Sequence, residues 1–253
     1  MLEIKEQRPI PTCLSHHTTL EACKSILSDD EGKGICFYVV SNKHKNDDQE
    51  IKMGEKMFKR VRDIVPEKSL LNNFRGYEDS ASLSFMEGES TIGMMKKYGH
   101  IRMEFDLRNN IPTELFGYID CEYVSENNLE EYINDYCIFV KQKCKNLNHW
   151  DNFLSFLMLE IDIMLKVFSI KEEKWREEKE WRIIEQLKED DSDIYLTSNG
   201  KPYKKSYFSK DVLIGITILY DKDPFEFEAE KIELENYLKE KGYNIPVKMQ
   251  KVL

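Results

Sequence analysis

The chain has 253 residues, of which 41% are hydrophobic and 33% charged, and it contains only 11 glycines and 7 prolines. This composition is typical of a globular protein with a substantial core, and it excludes an intrinsically disordered chain. The formal net charge of -10 disfavours a protein whose main task is to hold duplex DNA, because that task needs an excess of lysine and arginine.

Strands and helices mix in the first half of the chain without strict alternation. The clearest predicted strand is 100–107, where apolar side chains alternate with charged ones. Other strands are predicted at 14–18, 34–40, 80–85 and 116–124. Helices are predicted from a capping box at Thr18 and Glu21 to about residue 27, at 49–65, and at 89–98 ending at Gly99.

The second half predicts two long helices, at 128–144 and 149–168, and a third at 224–241 with a proline at its start. Strands are predicted at 193–197, 203–208, 212–219 and 245–249. Together these elements predict one α+β domain over residues 1–253, built on a mixed or antiparallel sheet. The segment 127–170 is interpreted as a helical insertion or an outer layer of that domain.

Several features predict a cytoplasmic protein that does not enter a membrane. The most apolar run, 153–170, carries Glu160, Asp162 and Lys166, which a membrane span would rarely tolerate. We interpret it as a core helix with these three residues on its outer face. The N-terminus lacks the apolar segment of an export signal. The six cysteines form no C-x-x-C pair, so we expect reduced thiols.

The stretch from Trp175 to Ile184 predicts a polar site. As a strand, it would place Glu178, Glu180 and Arg182 on one face. As a helix, it would be a solvated, charge-rich surface element, and composition alone does not decide between the two. We expect no metal, because the histidines and cysteines lack the spacing of a zinc site. Glycine-rich phosphate loops and G-x-S-x-G elbows are also missing from the sequence.

Short motifs follow one another along the chain. They are S-H-H-T-T from Ser15, N-D-D-Q-E from Asn46, S-F-M-E from Ser84, M-M-K-K-Y-G from Met94, E-K-E-W-R from Glu178 and V-L-I-G from Val212. In order and residue type they resemble a bacterial domain-of-unknown-function family with the pattern H-Y-T-S, N-D-x-x-E, S-F-S, M-W-x-x-Y, E-x-E-W-R and I-x-L-G. The chain departs from this pattern at His17, Met86 and Met95.

The family's layout is similar to the H-Y-E and R-S-E arrangements of ADP-ribosyltransferases. This resemblance implies that fold with an added helical layer, and an enzyme that consumes NAD as a substrate. Glu180 would stabilise the positive charge that develops on the ribose as the nicotinamide bond breaks, and Glu178 would orient or deprotonate the acceptor. His16 would bind the adenosine ribose and Tyr98 would stack on nicotinamide. The implied NAD contacts are His16, Thr18, Ser84, Tyr98 and Arg182.

The association of such families with toxins and defence proteins implies a bacterial toxin or anti-phage effector. It would modify a protein or a nucleic acid, and an antitoxin or regulatory protein would be a partner. Two other classes stay open. The departures at His17, Met86 and Met95 favour a non-catalytic interaction module of the same fold. A Mg²⁺-dependent nuclease would instead use Glu178, Glu180 and an aspartate of the 46–48 loop as metal ligands.

Overall fold

The computed structural model describes residues 8–28, 32–42, 48–65, 80–108, 115–146, 153–187, 194–197 and 200–252. Its α-helices are α1 (Leu20–Ile26), α2 (Asp48–Arg62), α3 (Ile92–Tyr98), α4 (Leu129–Asn146), α5 (Phe153–Ser169) and α6 (Glu228–Glu240). Its strands are β1 (Leu14–Thr18), β2 (Ile35–Val40), β3 (Ser80–Met86), β4 (Ile101–Phe105), β5 (Leu115–Asp120), β6 (Glu122–Val124), β7 (Ile170–Glu172), β8 (Glu180–Gln186), β9 (Ile194–Leu196), β10 (Pro202–Phe208), β11 (Leu213–Tyr220) and β12 (Val247–Lys251).

A seven-stranded sheet lies at the centre of the described structure, in the order β12-β11-β4-β1-β3-β8-β5. Its neighbouring strands are antiparallel, except that β11 and β12 run parallel. The predicted α+β class on a mixed or antiparallel sheet is therefore confirmed, and the sheet is mostly antiparallel. The strands β1, β3 and β8, which carry most of the predicted site residues, are direct neighbours.

One face of this sheet packs into the main core. Leu14, Phe85 and Trp181 point to this side, where they meet buried side chains of α1, α6 and a second sheet of order β2-β10-β9. Phe37 of the second sheet contacts Phe85 edge to face, with 5.9 Å between the ring centroids. Burial of these large apolar side chains fixes which residues of β1, β3 and β8 turn away from the core.

The opposite face meets a layer of helices. Ile184 of β8 and Ile119 of β5 share a second core with apolar side chains of α2, α4 and α5. Gly117 of β5 permits the close approach of α5, because a Cβ atom there would lie 2.8 Å from the Leu165 side chain. The interpretation of residues 1–253 as one domain, with 127–170 as an insertion or outer layer, stays a prediction.

The structure corrects several predicted boundaries. The predicted strand 116–124 is two strands, because β5 pairs with β8 whereas β6 pairs in parallel with β7, a strand that was not predicted. Helix α1 is capped by Thr19 instead of Thr18, and its hydroxyl accepts a hydrogen bond from the Ala22 amide. Helix α3 begins at Ile92, later than predicted, because Thr91 caps it.

Helix α5 is a core helix, as predicted, but its charged residues are not all on an outer face. Glu160 and Lys166 are buried, and the Lys166 ammonium pairs with the Glu122 carboxylate of β6. Asp162 is exposed. Among the described residues, no helix is long and apolar enough to cross a membrane. All six cysteines lie within the described ranges, and none forms a disulfide.

Candidate functional site

The polar stretch after Trp175 is neither a continuous strand nor an α-helix. A 3-10 helix at Glu173–Glu178 ends in Lys179, whose φ of 42° is left-handed, and β8 begins at Glu180. Glu178 therefore lies in the turn before the strand, whereas Glu180 and Arg182 share one strand face as predicted. A left-handed residue between the two glutamates lets both carboxylates turn to the same side despite the break.

Glu180 accepts hydrogen bonds at both carboxylate oxygens. Its Oε1 accepts from the Ser84 hydroxyl of the neighbouring strand and from Arg182 Nε at 2.8 Å. Its Oε2 accepts from Arg182 Nη2 at 3.3 Å and from the Lys171 ammonium. The Glu180 side chain is only 3% exposed, so its negative charge is held in the fold by two buried cations.

Glu178 joins the same network from the turn. Its Oε1 accepts from the Tyr98 hydroxyl at 2.6 Å and from Lys97 Nζ at 3.1 Å, and its Oε2 accepts from Lys171 Nζ at 2.6 Å. Burial and the Glu178 carboxylate both raise the pKa of Tyr98, so the phenol remains a donor. Tyr98, the last residue of α3, thus binds the second carboxylate, and Gly99 caps this helix.

Lys171 is a member of the site that was not predicted. It lies on β7, directly after α5, and its ammonium bridges Glu178 and Glu180. Its side chain is 7% exposed. Its partners lie only seven and nine residues further along the chain, but the residues around Lys171 give no signal of its burial, because lysines are usually exposed. Arg182 completes the charge balance and also donates to the Phe168 carbonyl at 2.6 Å.

The two neighbouring histidines of β1 point to opposite faces of the sheet. Ser15 of β1 lies opposite Met86 of β3, and Met86 lies opposite Glu180 of β8. Because side chains alternate along a strand, His17 lies on the same sheet face as Ser84 and the Glu180 carboxylate. His16 points to the main core, where its ring packs against Phe37 and Phe85 at centroid distances of 5.2 and 6.0 Å. The structure thus brings His17, and not the predicted His16, to the site face.

His17 is buried and neutral. Its Nε2 lies 3.1 Å from the Ser90 hydroxyl. Burial, reinforced by the Arg102 guanidinium, lowers the pKa of His17 to about 4. Burial also lowers the pKa of His16. Thr18, another predicted NAD contact, shares the strand face of His16 by alternation, so the structure does not bring it to the carboxylates.

A cleft of about 420 Å³ lies beside β6, and the side chains of the carboxylate cluster do not line it. Polar and aromatic residues line it, among them Asp120, Glu122, Tyr123, Tyr132, Glu173 and Arg176. The Tyr123 hydroxyl accepts a hydrogen bond from the Glu180 amide at 2.7 Å, which connects this cleft to the first residue of β8. Concave sites with a few polar groups are the usual places where small molecules bind.

Among the described residues, no group of three or more histidine, cysteine, aspartate and glutamate side chains is arranged to hold a metal ion. Asp47, a predicted metal ligand of the nuclease hypothesis, lies outside those residues, and nothing is described of the Asp48 side chain. The Lys171 ammonium supplies the positive charge between Glu178 and Glu180. The nuclease hypothesis stays a prediction.

No protein-family model, curated protein or solved structure matches the chain. The resemblance to a domain-of-unknown-function family and to ADP-ribosyltransferases therefore rests on the sequence motifs alone.

Proposed function

We propose that the protein is an NAD-consuming enzyme of the ADP-ribosyltransferase type, with its reaction centre at Glu178 and Glu180. The observation that carries this proposal is the hydrogen bond from Ser84 on β3 to Glu180 on β8. This hydrogen bond joins two of the three neighbouring strands, β1, β3 and β8, that carry most of the predicted site residues. Glu178 is the last residue of the 3-10 helix that precedes β8. A serine that braces a glutamate beside a second carboxylate suits this chemistry.

In this proposal, the Glu180 carboxylate stabilises the positive charge that develops on the nicotinamide ribose. Lys171 and Arg182 balance the charge of this carboxylate within the fold. Glu178 orients the acceptor group and takes its proton. Tyr98 and Lys97 donate to Glu178 and fix its direction.

Binding of the ribose requires one change at Glu180. Its two oxygens accept hydrogen bonds from Ser84, Arg182 and Lys171. Ser84 is the partly exposed member of this set, whereas Lys171 and Arg182 are buried. We propose that the Ser84 hydroxyl turns to the bound ribose and leaves one acceptor position to the ribose 2′-hydroxyl.

A titration of the purified protein with NAD tests the proposal, with a chelator present to remove divalent metals. The melting temperature reports binding, because a ligand that binds only the folded state stabilises it. Free nicotinamide reports cleavage. We expect a rise in melting temperature together with nicotinamide release, and ADP-ribose as the control should raise the melting temperature alone. No stabilisation by NAD and no release would overturn the proposal.

The acceptor in this proposal is a protein or a nucleic acid of the bacterial cytoplasm. A toxin or anti-phage effector of this kind would require an antitoxin or another regulator in its own cell.

A second candidate function is a non-catalytic interaction module. The observation that favours it is the burial of both glutamates, whose charges are balanced by Lys171 and Arg182. Such a network can serve the fold alone. This function predicts that NAD neither stabilises the protein nor is cleaved, and that Glu180→Gln changes only its stability.

A further inference from the structure

The three-stranded sheet β2-β10-β9 turns a row of tyrosines outward, which we call the tyrosine face: Tyr38, Tyr195 and Tyr203. Tyr203 lies opposite Tyr195 on β9, and its neighbour Lys205 lies opposite Tyr38 on β2. Their alternating neighbours, such as Phe37 and Phe208, point inward to the main core. The tyrosine face is therefore the side of this sheet that the core does not use.

Two rings of the tyrosine face are exposed, and the third, Tyr203, is half-buried between them. Tyr38 is 55% exposed and Tyr195 is 41% exposed. The ring of Tyr203 lies between them, with centroid distances of 5.0 Å to Tyr38 and 5.5 Å to Tyr195. The Tyr195 and Tyr203 rings are stacked. Clusters of exposed apolar rings on a folded protein mark surfaces that bind a partner.

Lysines accompany these rings although the chain as a whole is acidic. The Lys205 ammonium lies 5.2 Å from the centroid of the Tyr195 ring, and the Lys33 ammonium lies 4.9 Å from that of Tyr207, which is on the outer side of β10. With a net charge of -10 for the chain, positive charge on an aromatic face is a local feature. It complements a partner that carries both flat rings and negative charges.

We propose that the tyrosine face binds single-stranded nucleic acid. Bases of any sequence stack on aromatic side chains, and lysines meet the phosphates. A sheet surface with several neighbouring rings holds successive bases, as other sheet-based single-strand binding proteins do. This site lies on the second sheet and does not involve NAD, so its test does not depend on the proposed enzymatic function.

Fluorescence anisotropy of a labelled oligouridylate of about 12 nucleotides, at about 50 mM salt and without NAD, tests this proposal. We expect binding that weakens about tenfold or more for Tyr38→Ala and again for Tyr203→Ala, because each removes a stacking ring. Tyr203→Phe keeps the ring and should keep the affinity. Phe225→Ala is the matched control, because Phe225 is 80% exposed but lies outside the tyrosine face.

Salt dependence separates the role of the lysines from that of the rings. Lys205→Gln should lower the slope of log Kd against log salt by about 0.7, the value for one phosphate contact on a single strand. Lys222→Gln, an exposed substitution elsewhere, should leave the slope unchanged. Three outcomes would overturn the proposal: no binding by the folded parent, binding that the tyrosine variants retain, or a face that takes only a proline-rich peptide or a second copy of this chain.

Discussion

The ammonium group of Lys171 and the carboxylate of Glu180 form an ion pair in which both side chains are more than nine-tenths buried. Lys171 comes from the short strand after α5, and Glu180 begins β8, so the pair joins the helical layer to the large sheet. Because a buried charge without a partner is costly, each side of this junction depends on the other.

Lys171→Met should lower the free energy of unfolding by about 3–5 kcal/mol, because it leaves two buried carboxylates short of a cation. Urea unfolding at neutral pH measures the loss. Lys97→Met is the matched control, since Lys97 pairs with the same Glu178 but its side chain is 39% exposed. It should cost no more than about 1 kcal/mol. Equal losses in the two variants would contradict a buried role for Lys171.

The buried His17 should make stability depend on pH. Its pKa is about 4 in the folded protein against 6.5 ordinarily, so between these values the unfolded chain binds the extra proton. The contribution of neutral His17 to the free energy of unfolding is complete above pH 6.5. It decreases by about 3 kcal/mol at most as the pH falls towards 4. In unfolding measurements across this range, His17→Gln should reduce the dependence, and the part that remains should come from His16, whose pKa burial also lowers. An unchanged slope in His17→Gln would show that His17 is not the group responsible.

Gly99 should be required for the placement of Tyr98 beside Glu178. Its φ is 118°, and a Cβ atom would lie 2.2 Å from the Thr18 carbonyl oxygen. Gly99→Ala should therefore cost at least about 1–3 kcal/mol of stability. Gly242→Ala also has a positive φ, of 79°, but no atom lies within 4 Å of the added methyl, so its cost should be smaller. Thermal unfolding compares the two, and a tolerated Gly99→Ala would refute the close contact.

Much of the fold could be predicted because apolar and polar side chains alternate clearly along its strands. In β4, buried Ile101, Met103 and Phe105 alternate with more exposed neighbours, and β1 has the predicted bounds. Strand β7 was missed because it has three residues and follows a long apolar helix without a break. The turn at Lys179 was missed because a left-handed lysine has no signature comparable to that of glycine.

The site could be predicted in part. Glu178, Glu180, Ser84, Tyr98 and Arg182 meet in one network, as the motifs indicate. The placement of His16 on the core face could have been predicted, because Leu14 and His16 alternate onto the same face and Leu14 is a core residue. Lys171 was missed although its partners Glu178 and Glu180 are only seven and nine residues away, because lysines are rarely buried and β7 was not predicted.

Nicotinamide release by Glu180→Gln tests the central claim most directly. The variant keeps the size of the side chain but removes the charge that would stabilise the ribose transition state. We predict a loss of about 10²–10³ in the rate of nicotinamide release, with NAD binding retained and a folded protein by circular dichroism. Ser90→Ala, which touches His17 but neither glutamate, serves as the control. Release by Glu180→Gln at the parent rate would contradict the assignment of Glu180 as the catalytic group.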